Sequence, residues 1–197
     1  MEALLATLRA NALELLGFVT GTACLWLLAK QNIWNWPIGL ANNLILMVVF
    51  TGAGLYADVG LQVFYVAIGI YGWWHWLHGG QDHGVLTVTR TPRREALAFG
   101  LATAAGTGLV VLLLKRFTNS TVPVLDATVT GLSIAAQVLM ARKRLENWWV
   151  WIAANLISIG LLIYKQLFIT AGLYAVFLVL CVQGLVEWTR SIRQEAP

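Results

Sequence analysis

The sequence predicts an all-α membrane protein of seven transmembrane helices, laid out as two parallel three-helix repeats joined by a linker helix. Three observations carry that reading: an apolar excess, seven apolar stretches of bilayer-crossing length, and an internal echo at an offset of 112 residues.

The excess comes first. Of 197 residues, 59% are hydrophobic and 11% charged, with a mean hydropathy of +0.73. Soluble globular chains carry about a quarter charged residues, and a domain this small has no interior large enough to hide so much apolar surface. The solvent is therefore a bilayer.

Crossing about 30 Å of hydrocarbon takes roughly 20 mostly apolar residues. The first stretch, 13–29, ends at Lys30, and the second, 36–53, opens on NWP. The third, 55–76, runs into the polar segment GGQDHGVLTVTRTPRR. The fourth, 96–114, stops at Lys115 and Arg116, and the fifth, 122–140, at the basic run Arg142, Lys143 and Arg144. The sixth, 148–164, and the seventh, 167–188, are separated by Lys165 and Gln166. Backbone groups in lipid must be satisfied within the segment, so each stretch is expected to be an α-helix; the alternation of a β-barrel is absent. With Glu2 and Arg9 and no short apolar core before a small-residue cleavage site, the N-terminal stretch is not expected to be a signal peptide.

Seven crossings put the termini on opposite sides. Lys30, Arg90, Arg93, Arg94, Arg142, Lys143, Arg144, Arg190 and Arg193 fall on one side, nine against the four of Arg9, Lys115, Arg116 and Lys165. The positive-inside rule makes the first side cytoplasmic, with the C-terminus there and the N-terminus outside. That asymmetry accounts for the net charge of +4 without a nucleic-acid partner. Cys24 and Cys181 lie within apolar helices and read as small buried hydrophobes.

The echo pairs NWPIGLANNL (35–44) with NWWVWIAANL (147–156). At the same offset Tyr65 meets Phe177, Gly72 meets Gly184 and Trp76 meets Trp188. Upstream, Thr20-Gly21 matches Thr130-Gly131 if the second copy has two extra loop residues. Within one domain spanning 1–197, the first unit is thus 13–76, the linker 96–114 and the second unit 122–188. A three-helix unit ends on the side opposite its start, so one extra crossing lets the second copy insert in the same orientation. A binding site is expected between the units, near the midplane.

Asn43 and Asn155 lie about 12 Å along their helices from the Asn-Trp starts, close to the bilayer centre. An unpaired amide there costs roughly 2–7 kcal/mol. Helical spacing stacks Trp148, Trp151 and Asn155 on one face and Trp36, Gly39 and Asn43 on another. Gln62, Tyr65, Gly69 and Gly72 form a third face, and Tyr174, Phe177, Cys181 and Gly184 a fourth. Such faces suit an uncharged or weakly charged planar ligand. The blander alternatives are that Trp34, Trp76, Trp149 and Trp188 form an interfacial belt, that the asparagines are interhelical glue, and that the glycines only permit close packing.

Other chemistries find little support. Glu14, Asp58, Asp126 and Glu187 lie near helix ends, with no carboxylate or lysine at midhelix, which argues against ion coupling. There is no Walker loop, nucleophile elbow or zinc-protease motif. His75, His78, Asp82 and His83 sit at a helix end and in a loop, where solvated histidines are expected rather than a metal site. The chain is expected to be no enzyme and to need no cofactor.

WNWPIGLANN, LYADVGLQVFYVAIGIYGWWHW and ENWWVWIAANLISIGLLIYKQLFITAGLYAVFLVLCVQGLVEW together resemble the PnuC family of bacterial vitamin transporters, over residues 13–189. The resemblance implies a 3+1+3 fold like a full-length SWEET, in the bacterial inner membrane, as a homo-oligomer with a trimer expected. It further implies facilitated diffusion of nicotinamide riboside, which a cytoplasmic kinase traps for NAD biosynthesis. Family binding positions fall on Trp148, Trp151, Asn155, Asn43 and Gln62; Trp36, Tyr65 and Tyr174 join them from the helix-face argument alone. Thiamine or riboflavin, which related members carry, and a non-transporting vitamin sensor or scaffold stay open as alternatives. Gly39 in place of Trp151 suggests that the ring stacks on the second repeat and slides over the first.

Overall fold

The computed structural model describes residues 19–52, 54, 56–117 and 122–195. Glu2, Arg9 and Glu14 and the start of the first helix lie outside them. The described part of α1 is Val19–Ala29; α2 is Asn35–Gly52, α3 Tyr56–His78, α4 Arg93–Phe117, α5 Pro123–Ala141, α6 Asn147–Tyr164 and α7 Phe168–Glu195. A short 3₁₀ turn, Gln81–His83, follows α3.

Hydropathy locates the helices because each is bounded by residues that stop or seed one. Pro123 stands in the first turn of α5, where its missing N–H is no loss. α4 and α7 extend past the apolar stretches because Arg93 and Arg94, and the mostly polar residues 189–195, continue the helix. By length and composition α4, α5, α6 and α7 are each able to cross a membrane. In α2 three asparagines, and in α3 the Trp-Trp-His-Trp-Leu-His end, dilute the apolar stretch.

α2 packs on α3 and α6 on α7; α5 lies against α4, α6 and α3. None of the apolar stretch of α4 is buried within the chain.

The turns between α1 and α2 and between α5 and α6 have the same construction. Gln31 and Lys143 both take left-handed backbone, φ 54° and 53°. Asn32 N donates to Leu27 O at 2.8 Å and Arg144 N to Leu139 O at 2.9 Å. Asn35 Nδ2 donates to Asn32 O at 2.7 Å, and Asn147 Nδ2 to Arg144 O at 2.6 Å. Every pair is offset by 112, so the two turns are equal in length. The two extra loop residues expected in the second copy are not there: α1 matches α5 at the common offset, placing Gly21 against Ser133, not Gly131.

The core is built from four indoles. Trp36 and Trp76 meet edge to face at 5.4 Å and 87°, and Trp148 and Trp188 do so at 5.4 Å and 87°; Trp76 touches Trp188 at 5.9 Å. A Cβ on Gly72 would collide with the Trp36 ring, and one on Gly184 with the Trp148 ring, so each glycine is the notch that admits its indole. Trp76 Nε1 donates to Met140 O at 3.1 Å, while Trp188 Nε1 donates to Leu28 O at 3.2 Å. Each half therefore ties into the end of the other half's leading helix. The belt reading fails for Trp76 and Trp188, which are 2% and 0% exposed because their N–H groups have these backbone partners. Trp34 and Trp149 do lie on the surface.

At the same end the segment between α3 and α4 crosses the α5–α6 turn. Lys143 Nζ donates to Leu86 O at 2.7 Å and lies 4.6 Å from the centre of the Trp76 ring. Arg142 and Arg144 both pair with Glu95, at 2.7 and 2.9 Å, and Thr91 donates through N and Oγ1 to Glu146.

Candidate functional site

A cavity of about 410 Å³ opens between the helices, with the four-tryptophan layer at one end. Its wall ascends in tiers from that layer, because α2 and α6 start there while α1, α3, α5 and α7 end there. Trp36, Leu28 and Met140 form the floor. Next come Trp151 from α6, Gln137 from α5 and Cys181 from α7, facing Gly39, Leu25 and Gly69. Above them lie Asn43, Asn155, Tyr65, Phe177 and Ser133, and farthest from the floor Gln62, Tyr174, Ser158 and Leu46. At 1.5 Å per residue the rise along α6 from the indole layer at Trp148 to Ser158 is about 15 Å.

Seven of the eight residues predicted from sequence share this wall: Trp36, Asn43, Gln62, Tyr65, Trp151, Asn155 and Tyr174. Trp148 does not. It is fully buried in the notch of Gly184, against Trp188, so it holds up the floor without meeting the cavity.

The polar groups divide into spent and unspent. Asn155 Nδ2 donates to Trp151 O at 2.9 Å on its own helix and reaches Cys181 Sγ at 3.6 Å, so its amide orders the α6–α7 contact. Thr20 donates to Asn42 Oδ1 at 3.2 Å. Tyr65 hydrogen-bonds the Ser133 side chain. By contrast Trp36 Nε1, Trp151 Nε1 and Gln62 Oε1 are buried without a hydrogen-bond partner. Buried polar atoms in proteins are nearly always partnered, and these three stand in the residues that line the cavity, while Trp148 Nε1, off the cavity, is unpartnered too. Among the described lining residues there is no Asp, Glu, Lys, Arg or His.

Sequence reasoning missed Ser133 and Gln137. Their spacing of four on one face of α5, in its apolar C-terminal half, was the available signal. Cys24, read as a plain core residue, and Cys181, on the face outlined with Tyr174 and Phe177, both line the cavity as free thiols.

The chain matches the family described as nicotinamide mononucleotide transporter over residues 11–190. It belongs to that family. It is thereby a membrane transporter and not an enzyme, as the resemblance to PnuC implied. A nicotinamide riboside transporter, PnuC, of Escherichia coli (strain K12) is 28% identical over 207 residues, covering 92% of this chain and 87% of its own. A riboflavin/roseoflavin transporter, RibM, of Streptomyces davaonensis is 28% identical over 188 residues, covering 93% and 88%. In fold, this nicotinamide mononucleotide transporter family member is similar to the crystal structure of a vitamin B3 transporter PnuC, with a TM-score of 0.75 over 99% of this chain and 88% of the other at 24% identity.

Proposed function

We propose that this chain carries nicotinamide riboside across the bacterial inner membrane as a uniporter, its two three-helix units rocking about the cavity. The carrying observation is the cavity itself: indole faces, unspent amide and indole groups, and a described wall free of formal charge. Nicotinamide riboside offers a flat cationic ring, a carboxamide and ribose hydroxyls. Tryptophan faces attract a cationic ring by about 0.5–2 kcal/mol per partner. Asn and Gln serve hydroxyls and carboxamide alike, being donors and acceptors together. The described wall lacks the carboxylate that usually seats a coupled cation or relays a proton, and a wall without one holds its cargo weakly enough to release it.

The 3+1+3 arrangement, seven spans with α4 as linker, is supported by the contacts that recur at the common offset of 112. Trp76 to Met140 and Trp188 to Leu28 are the reciprocal bonds of two units related by a pseudo-two-fold axis along the membrane normal. The nine basic residues at the tryptophan end make that end cytoplasmic. In this conformation the indole layer closes the cavity on the cytoplasmic side, and opening there parts the two cross-bonds. The bare outer face of α4 leaves room for the neighbouring copy of a trimer, and trapping falls to a kinase acting on the delivered cargo.

Titrating the purified protein side by side with nicotinamide riboside, thiamine and riboflavin should quench tryptophan fluorescence most strongly with the first. A preference for riboflavin, the named cargo of RibM, would reassign the substrate. Binding with no flux into vesicles would instead make the protein a sensor.

A further inference from the structure

We infer that Gln137 on α5 reads the carboxamide on the cargo's ring and so sets the preference for the amide over the corresponding carboxylic acid. The inference deepens the reading of nicotinamide riboside as cargo and rests on it.

Two markers fix the height of Gln137. Met140 belongs to the indole layer, since its carbonyl accepts the Trp76 N–H at 3.1 Å. Trp148 belongs to the same layer through its 5.4 Å contact with Trp188. Gln137 lies three residues before Met140 on a helix that descends into the layer, and Trp151 three residues after Trp148 on one that rises from it. At 1.5 Å per residue both stand about 4.5 Å above it. α5 and α6 pack on each other, and both side chains line the one cavity. A ring stacked on Trp151 therefore has Gln137 near its edge.

The other amides are less suited. Asn155 stands four residues above Trp151, and its Nδ2 is already engaged with Trp151 O and Cys181. Asn43 lies four residues above Gly39, the partner of Trp151 at the offset, and Gln62 higher still. A carboxamide bonded directly to the ring cannot swing to those tiers while the ring stays stacked; they suit the ribose. The matching position in the first unit is Leu25, so among the described residues at this height the amide comes from the second unit; the first unit's Asn35 lies below, with its Nδ2 on Asn32 O, and Asn42 higher, with its Oδ1 on Thr20. A glutamine matches a primary carboxamide with one donor and one acceptor. Toward a carboxylate its carbonyl oxygen is left facing negative charge, and the described wall has no Lys, Arg or His to compensate.

The test compares nicotinamide riboside with nicotinic acid riboside on the purified full chain, by titration calorimetry, before and after Gln137→Leu. Leucine is what the first unit carries at this position, and a melting curve checks that the variant is folded. The wild type should prefer the amide by about tenfold or more, since leaving a buried polar group unpaired is what rejects the wrong analogue. In the variant that ratio should collapse toward one, chiefly by loss of amide binding. An unchanged ratio, or an equal loss for both ribosides, would overturn the role of Gln137 while leaving the cargo assignment standing. A wild-type chain that bound neither riboside would overturn the cargo assignment and this inference with it. Gln137→Asn, which keeps a shorter amide, should retain part of the preference; a complete collapse there would also count against a hydrogen-bonding role.

Discussion

Trp151 does two jobs at one position. Its face is offered to the cavity, while its carbonyl accepts the Asn155 amide at 2.9 Å, and that amide also reaches Cys181. Trp151→Ala removes one cation–π partner worth about 0.5–2 kcal/mol, so nicotinamide riboside should bind roughly tenfold more weakly, as read by titration calorimetry. The backbone carbonyl survives the substitution, so the melting temperature should change less than for a change at Trp148, which is wholly buried. Gly184 shows the reverse case, a residue that matters by having no side chain. Gly184→Leu would force the Trp148 ring out of its notch, and overpacking of this kind costs typically about 1–3 kcal/mol. A lowered thermal midpoint, with the matching loss for Gly72→Leu, is the expected result. These residues also show what was legible beforehand. Asn43, Gln62, Tyr65 and Tyr174 could be placed because a polar residue at bilayer depth must face something other than lipid. Trp148 was misplaced because a helix face says nothing about which neighbour fills it, and here the filler is Gly184.

At the scale of elements, the same turn and the same indole pair are built twice. Helix positions were legible because hydropathy is a one-dimensional signal, and a charge or a proline next to an apolar run marks its end. Pairings were not: Trp76 and Trp188 sit near helix ends, where a belt is the usual outcome, and only the packed structure shows their N–H groups crossing to Met140 and Leu28. The α1–α5 register was likewise misjudged, because a Thr-Gly match outweighed the equal lengths of the turns. The two cross-bonds should act alike. Trp76→Phe and Trp188→Phe each remove one cross-bond, a net loss of about 0.5–1.5 kcal/mol, while Lys143 N and Gln31 N still donate to the Met140 and Leu28 carbonyls. Either variant should melt earlier and should let a membrane-impermeant maleimide, added from the cytoplasmic side, label the cavity thiol of Cys24 faster than in the wild type. Faster melting without faster labelling would mean that the layer is only a core and not a gate.

Across the whole molecule, charge is kept to the ends and withheld from the middle. Lys30 pairs with Glu187 at 2.8 Å and Arg142 and Arg144 with Glu95 near the tryptophan layer, while Lys165 meets Asp126 at 3.4 Å at the other end. Between them the described cavity wall holds only neutral side chains. The proposed passive mechanism rests on this neutral described wall. The most direct test is uptake of labelled nicotinamide riboside into liposomes holding the purified protein and no kinase. Internal and external concentrations should level at the same plateau with or without proton and sodium gradients, at a rate that the gradients leave unchanged. Accumulation above the external concentration that disappears when a gradient is collapsed would contradict passive transport through a neutral cavity.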